Sequence, residues 1–196
     1  MLDLILLRHA VTRQNNAGVI QGQQDNPPID PQFPDPLFEK VMGVGKLTAV
    51  YTMDLSRGRL SAEDLRRKAV AALGAGILYV ETPLLRERHM GEYEERRYDS
   101  FPLGGMSIAE YLYRLDHIPG GESKAQARAR GEGVRRKYID GQQGYILLVS
   151  SRVQINHLND ALHARDSGPF TDLKNLQGIH LRLQNGIIVS EQLFGA

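Results

Sequence analysis

The chain has 196 residues, with 24 Lys and Arg against 23 Asp and Glu, and no cysteine. That length suits one domain burying about 70% of its unfolded surface, and a formal charge of +1 offers a polyanionic partner nothing to hold. Without cysteine there are no disulfides or thiolate metal sites, and the apolar runs are too short to span a bilayer.

Leu2 to Leu7, broken only by Asp3, reads as a buried strand. It delivers Arg8 and His9 together at its carboxyl end, then opens into small and polar residues (Ala10, Thr12, Asn15, Asn16, Gly18). In open α/β sheets the ligand crevice lies just outside such strand ends. The start has no basic n-region and turns charged at Arg8, which argues against a signal peptide and for a cytoplasmic protein. Five prolines between Pro27 and Pro36 make the next stretch a loop. A short helix is expected over Leu37–Met42, closed by Gly43 and Gly45. Gly43-Val44-Gly45-Lys46 is no phosphate-cradling loop, because that motif needs Gly where Lys40 stands and Ser or Thr where Leu47 stands.

Leu47 to Tyr51 reads as the second strand. Leu60, Leu65, Ala69 and Leu73 then keep helical spacing, with Gly74 and Gly76 as stops. Arg57 falls near the start of that helix, where its charge adds to the positive end of the dipole. Ile77–Val80 is a third strand, followed by the charged turn Leu85-Arg86-Glu87-Arg88-His89-Met90-Gly91. A helix is expected over Ser107–Leu115, and Glu122-Ser123 opens another. The arginines and lysines of Lys124–Lys137 alternate with Ala and Gly and lack interleaved aromatics, so that helix reads as solvated rather than as a nucleic-acid surface. Tyr145–Ser150 is a buried strand, and Ile155–Ala164 a helix carrying His157 and His163. Ile179–Leu183 and Ile187–Leu193 form a hairpin around Gln184-Asn185-Gly186.

The opening stretch, L-L-R-H-A-x-T-x-x-N-x-x-G-x-I-Q-G, resembles the entry motif of the histidine phosphatase superfamily, the phosphoglycerate mutase-like proteins. Arg8, His9, Thr12, Asn15, Gly18, Gln21 and Gly22 fall on that pattern, while Ala10 and Val11 replace its Gly and Glu. Further likenesses follow in the family's order: Asp54-Leu55-Ser56-Arg57 with Ser61-Ala62-Glu63, Glu87 with Gly91 and Tyr93, Pro119-Gly120-Gly121-Glu122-Ser123 with Arg130, and strand 145–150. The family's second catalytic histidine follows that strand. Here the text runs Val149-Ser150-Ser151-Arg152, with Ser151 at the histidine's place and Arg152 where a glycine is usual. His157 stands six residues further on, more than a turn into the helix and rotated away.

The resemblance implies a three-layer α/β sandwich with a mainly parallel central sheet flanked by helices and a C-terminal β-hairpin, one domain over 1–196 with a cap or insert around 92–119. It implies His9 as a nucleophile forming a phosphohistidine and Glu87 as the proton-transfer carboxylate. Arg8, Asn15, Gln21, Gly22, Arg57, Ser151 and Arg152 would bind phosphate or substrate, with Arg152 supplying the charge that Ser151 lacks. No metal or cofactor is implied. The expected partner is a small phosphorylated substrate or ligand, with no nucleic acid and no membrane; a homodimer is left open. Two functions compete: a phosphomonoesterase acting on a small phosphorylated metabolite, slow or degenerate because of Ser151, and an inactive phosphate-binding pseudophosphatase with a regulatory or binding role. The segment between Glu87 and strand 145–150 is shorter than mutases of the family usually have.

Overall fold

The computed structural model describes residues 1–74 and 76–195. Its strands are β1 (Leu2–Arg8), β2 (Leu47–Thr52), β3 (Leu78–Glu81), β4 (Gly144–Ser150), β5 (Gly178–Gln184) and β6 (Ile187–Phe194). Its helices are α1 (Arg13–Ala17), α2 (Asp35–Val44), α3 (Ser56–Leu73), α4 (Ile108–Arg114), α5 (Lys124–Tyr138) and α6 (Arg152–Leu162). One sheet runs in the order β3-β2-β4-β1-β5-β6. The first four strands are parallel, and β5 and β6 are antiparallel to their neighbours.

Both faces of β1 are apolar, so the sheet needs helices on both sides. Leu2, Leu4 and Leu6 pack with Val134 and Tyr138 of α5 and with Ile155 and Leu158 of α6. Ile5 and Leu7 face the other way, onto Leu37 and Val41 of α2 and Ala62, Leu65 and Ala69 of α3. The result is the expected sandwich of helices around a mainly parallel sheet. A third apolar cluster, including Ile20, Met90, Ile108, Leu112 and Val153, lies apart from both.

Four local expectations are corrected. The stretch after His9 contains α1, capped reciprocally by Thr12 and Asn15: the Thr12 hydroxyl accepts from Asn15 N (3.2 Å), and Asn15 Oδ1 accepts from Thr12 N (3.0 Å). Helix α2 is longer than Leu37–Met42 at both ends. Pro36 is tolerated in its first turn, where no amide donor is needed, and Gly43 stays helical. Helix α6 starts three residues before Ile155, because its free amides find an acceptor distant in sequence, the carboxylate of Glu87. Finally, α5 is only partly solvated: Ala127, Gly131, Val134 and Tyr138 are buried. Gly131 permits the close approach to α6, since a Cβ there would lie 3.1 Å from the His157 carbonyl oxygen. The β5–β6 turn uses Asn185 (φ 52°) and Gly186 (φ 78°), the left-handed pair that matches hairpin twist. Among the described residues, no helix is long and apolar enough to cross a membrane.

Candidate active site

β1 and β4 are neighbours with Arg8 opposite Ser150 in register. Their carboxyl ends therefore place Arg8-His9 beside Ser150-Ser151, and His9 N donates to Ser150 O (3.0 Å). β2 feeds the start of α3, where Arg57 stands. All nine residues expected from the sequence (Arg8, His9, Asn15, Gln21, Gly22, Arg57, Glu87, Ser151 and Arg152) line one cleft of about 450 Å³.

His9 is buried, and its Nδ1 lies 2.6 Å from the carbonyl oxygen of Ala10. A carbonyl only accepts, so Nδ1 carries the proton and Nε2 keeps its lone pair. The backbone around it is fixed from two sides. Ala10 N donates to Ser61 Oγ (3.0 Å), and Asn175 Nδ2 donates to His9 O (2.9 Å). Burial, then the charges of Arg57 and Arg8, hold the imidazole well below the usual histidine range. His9 is thus a neutral base among cations, the state in which imidazole is nucleophilic.

The guanidinium groups of Arg8 and Arg57 are held by carbonyl oxygens rather than carboxylates. Arg57 donates to Gly22 O and Gln24 O, both at 2.6 Å. Arg8 donates to Leu173 O at 2.8 Å. Neither is hydrogen-bonded to a carboxylate among the described residues, although Glu87, Asp25 and Glu94 lie near enough to Arg57 to act on its charge. Burial, followed by the charge of Arg152, lowers Arg8 to about 10, and burial likewise lowers Arg57. Nε of Arg8, Arg57 and Arg152 is buried without a protein partner. Asn15 and Gln21 give their side-chain oxygens to Thr12, whose N donates to Asn15 (3.0 Å) and whose hydroxyl donates to Gln21 (3.0 Å). Their NH₂ groups remain as donors. Gly22 (φ +52°) is required by space, since a Cβ would meet Glu94 Oε1 at 2.0 Å.

Glu87 is half-buried and accepts from Arg88 N (2.8 Å), Gln154 N (3.1 Å) and, more loosely, Val153 N (3.4 Å). Burial raises its pKa, while the amide of Arg88 and the charge of Arg57 oppose that rise. A carboxyl so balanced can hold or release a proton. Its loop is braced by Arg130, which donates to Leu84 O (2.9 Å) and Arg86 O (2.6 Å) and pairs with Glu122 at 2.7 Å.

Among the described residues, the Ser151 hydroxyl has only Met53 Sδ, 3.9 Å away, as a partner. Arg152 pairs with Asp172. His9 is the one histidine lining the cleft among the described residues. His157 lies buried elsewhere, its ring 4.9 Å from that of Tyr113, and burial pushes it down to about 3.

The sequence reading missed Leu173, Asn175 and Asp172, which hold Arg8, His9 and Arg152. No local signal marks them, because Leu173 and Asn175 act across more than 160 residues of chain and Asp172 across 20. Thr12 was legible through the T-x-x-N spacing that defines its cap.

The fold matches solved structures over most of their length. One is a phosphoserine phosphatase mutant from Entamoeba histolytica in complex with phosphoserine (TM-score 0.70, 17% identity, 97% of this chain and 96% of that one). Another is a mycobacterial glucosyl-3-phosphoglycerate phosphatase complexed with VO3 (TM-score 0.70, 20% identity, 97% and 96%). In sequence, the chain is 37% identical over 101 residues to the probable phosphoglycerate mutase GpmB of Serratia proteamaculans, covering 51% of this chain and 44% of that protein. The same-named protein of Photorhabdus laumondii is 34% identical over 125 residues, or 62% and 53% of the two chains. The chain thus spans about half the length of the curated relatives it matches. Residues 4–186 match the Histidine phosphatase superfamily (branch 1), and the chain belongs to that family.

Proposed function

We propose that the protein hydrolyses a phosphomonoester through a phosphohistidine on His9. The observation that carries this reading is the neutral His9, with Nδ1 tied to Ala10 O and the guanidiniums of Arg8 and Arg57 beside it, both held by carbonyl oxygens. In the first step Nε2 bonds to phosphorus, the ester P–O bond breaks, and Glu87 gives its proton to the departing oxygen. In the second, water attacks phosphorus, the N–P bond breaks, and Glu87 takes the water's proton. Arg8, Arg57 and the amides of Asn15 and Gln21 neutralise the phosphoryl oxygens, which is most of what phosphoryl transfer asks of a protein. Arg152 is the third cation of the cleft and stands in for the charge that Ser151 lacks.

The test is turnover of p-nitrophenyl phosphate and a panel of phosphomonoesters across pH, beside His9→Ala, with denaturing alkaline quenching to look for acid-labile, base-stable protein-bound phosphate. Activity falling by at least about 10³-fold in His9→Ala is expected. Turnover absent at every pH, or unchanged in that variant, would sink the proposal.

One observation favours a second reading, a phosphate-binding protein without turnover: Ser151, facing the cleft with an uncharged hydroxyl, offers no imidazole opposite His9. Under that reading orthophosphate binds, the wild type is inert, and Ser151→His raises activity by about 10²–10³-fold.

A further inference from the structure

The lining of the cleft is of two chemical kinds. His9, Arg8, Arg57 and Arg152 supply the imidazole and the cations. Ile20, Met90, Ile108, Ala109, Leu112 and Val153 form an apolar wall and belong to the cluster set apart from the two sheet cores. Each of these six is 6% exposed or less, so water does not wet the wall. Tyr98 also lines the cleft. Among the described residues, no lysine, arginine or histidine lines it besides Arg8, His9, Arg57 and Arg152.

We infer that the site selects phosphomonoesters whose organic part is uncharged and apolar, such as a small alkyl or aryl group, and rejects those carrying a second anionic group. This rests on the phosphatase reading of the same site and narrows its substrate class. A carboxylate on the organic part would have two places to go. Against the wall it loses its water and gains no donor, a cost of several kcal/mol for a buried charge. Beside Glu87 it meets a second carboxyl. Arg8, Arg57 and Arg152 are already committed to the phosphoryl group in the proposed mechanism. An alkyl or phenyl group instead removes its own apolar surface from water and has no charge to desolvate, which favours binding. Discrimination here works through a missing partner for the wrong substrate as much as through contacts to the right one.

The experiment compares kcat/KM for propyl phosphate, 3-phosphoglycerate and phosphoserine, all of which leave as alkoxides, with calorimetric binding of propylphosphonate and 3-phosphonopropionate. Propyl phosphate is expected to exceed both acidic esters by at least about tenfold, and propylphosphonate to bind tighter by a similar factor. Ile108→Lys, which brings a cation to the wall, should reverse the preference. The wild-type comparisons stand even if that variant does not fold. Equal or better use of the acidic esters, or tighter binding of 3-phosphonopropionate, overturns the apolar-substrate inference and leaves the phosphatase reading intact. Preferential propylphosphonate binding without any turnover supports the selectivity and sinks the hydrolytic reading. Absence of both turnover and phosphonate binding overturns both.

Discussion

Glu87 and Arg88 are adjacent in the chain and cap two different helices at ends of opposite polarity. The Glu87 carboxylate accepts from Gln154 N (3.1 Å) at the amino end of α6. The Arg88 guanidinium donates to Leu112 O (2.7 Å) and Leu115 O (2.8 Å) at the carboxyl end of α4. Each charge sits where the helix dipole favours it. The same two helices line the cleft: Ser151, Arg152 and Val153 stand at the start of α6, and Ile108, Ala109 and Leu112 of α4 form part of the apolar wall. One dipeptide therefore ties the carboxyl proposed for proton transfer to the surface proposed to meet the substrate's organic part.

Arg88 is fully buried, and its partners are carbonyl oxygens of α4, its following turn and Glu122. Arg88→Met leaves those carbonyls without donors and should destabilise the fold by about 3 kcal/mol, with Arg88→Lys recovering part of the loss. Urea unfolding measures both, and an unchanged midpoint in Arg88→Met would refute the capping role.

Glu87→Gln separates proton transfer from capping. Glutamine still offers one oxygen to the α6 amides, so stability should drop by only about 1 kcal/mol. Turnover of an alkyl phosphate, whose leaving group needs a proton, should fall by about 10²–10⁴-fold. Turnover of p-nitrophenyl phosphate, which leaves as a stable anion, should fall far less. Equal losses on both substrates would remove Glu87 as the acid.

Arg152 and Asp172 form a pair at the cleft's edge. Arg152→Ala should weaken competitive inhibition by orthophosphate by about tenfold. Asp172→Asn should tighten it, because the guanidinium then has no competing carboxylate. Inhibition constants unmoved in both variants would exclude Arg152 from phosphate binding.

His157 gives the fold an acid weakness. Burial lowers its folded pKa to about 3, below the ordinary histidine value, and the charges of Arg88, Lys124 and Arg130 push the same way. Below about pH 6.5 the unfolded chain binds a proton that the folded chain refuses, so stability is lost as pH falls from about 6.5 toward 3. His9 adds a contribution of the same sign. His157→Gln should flatten the dependence by up to about 1.4 kcal/mol per pH unit across that window, read from urea unfolding at several pH values. An unaltered slope would show that the imidazole is not the titrating group.

The local patterns were sufficient for much of this protein. A strand apolar on both faces required a covered sheet, the 3.6-residue spacing of Leu65 and Ala69 required a helix, and Asn185-Gly186 required a hairpin. The ordered motifs named nine of the residues that line the cleft through the family resemblance, and of these Arg8, Arg57 and Arg152 stand at a strand end or helix start whose position follows from nearby residues. Tertiary structure decided what those groups can do. The tautomer and lowered pKa of His9 depend on burial and on Arg57, far away in sequence; the raised pKa of Glu87 depends on burial, against the amides of α6 that also start that helix early. Leu173, Asn175 and Asp172 reach the site only when β5 pairs beside β1. Burial, dielectric and through-space charge are properties of neighbours in space, and no stretch of sequence carries them by itself.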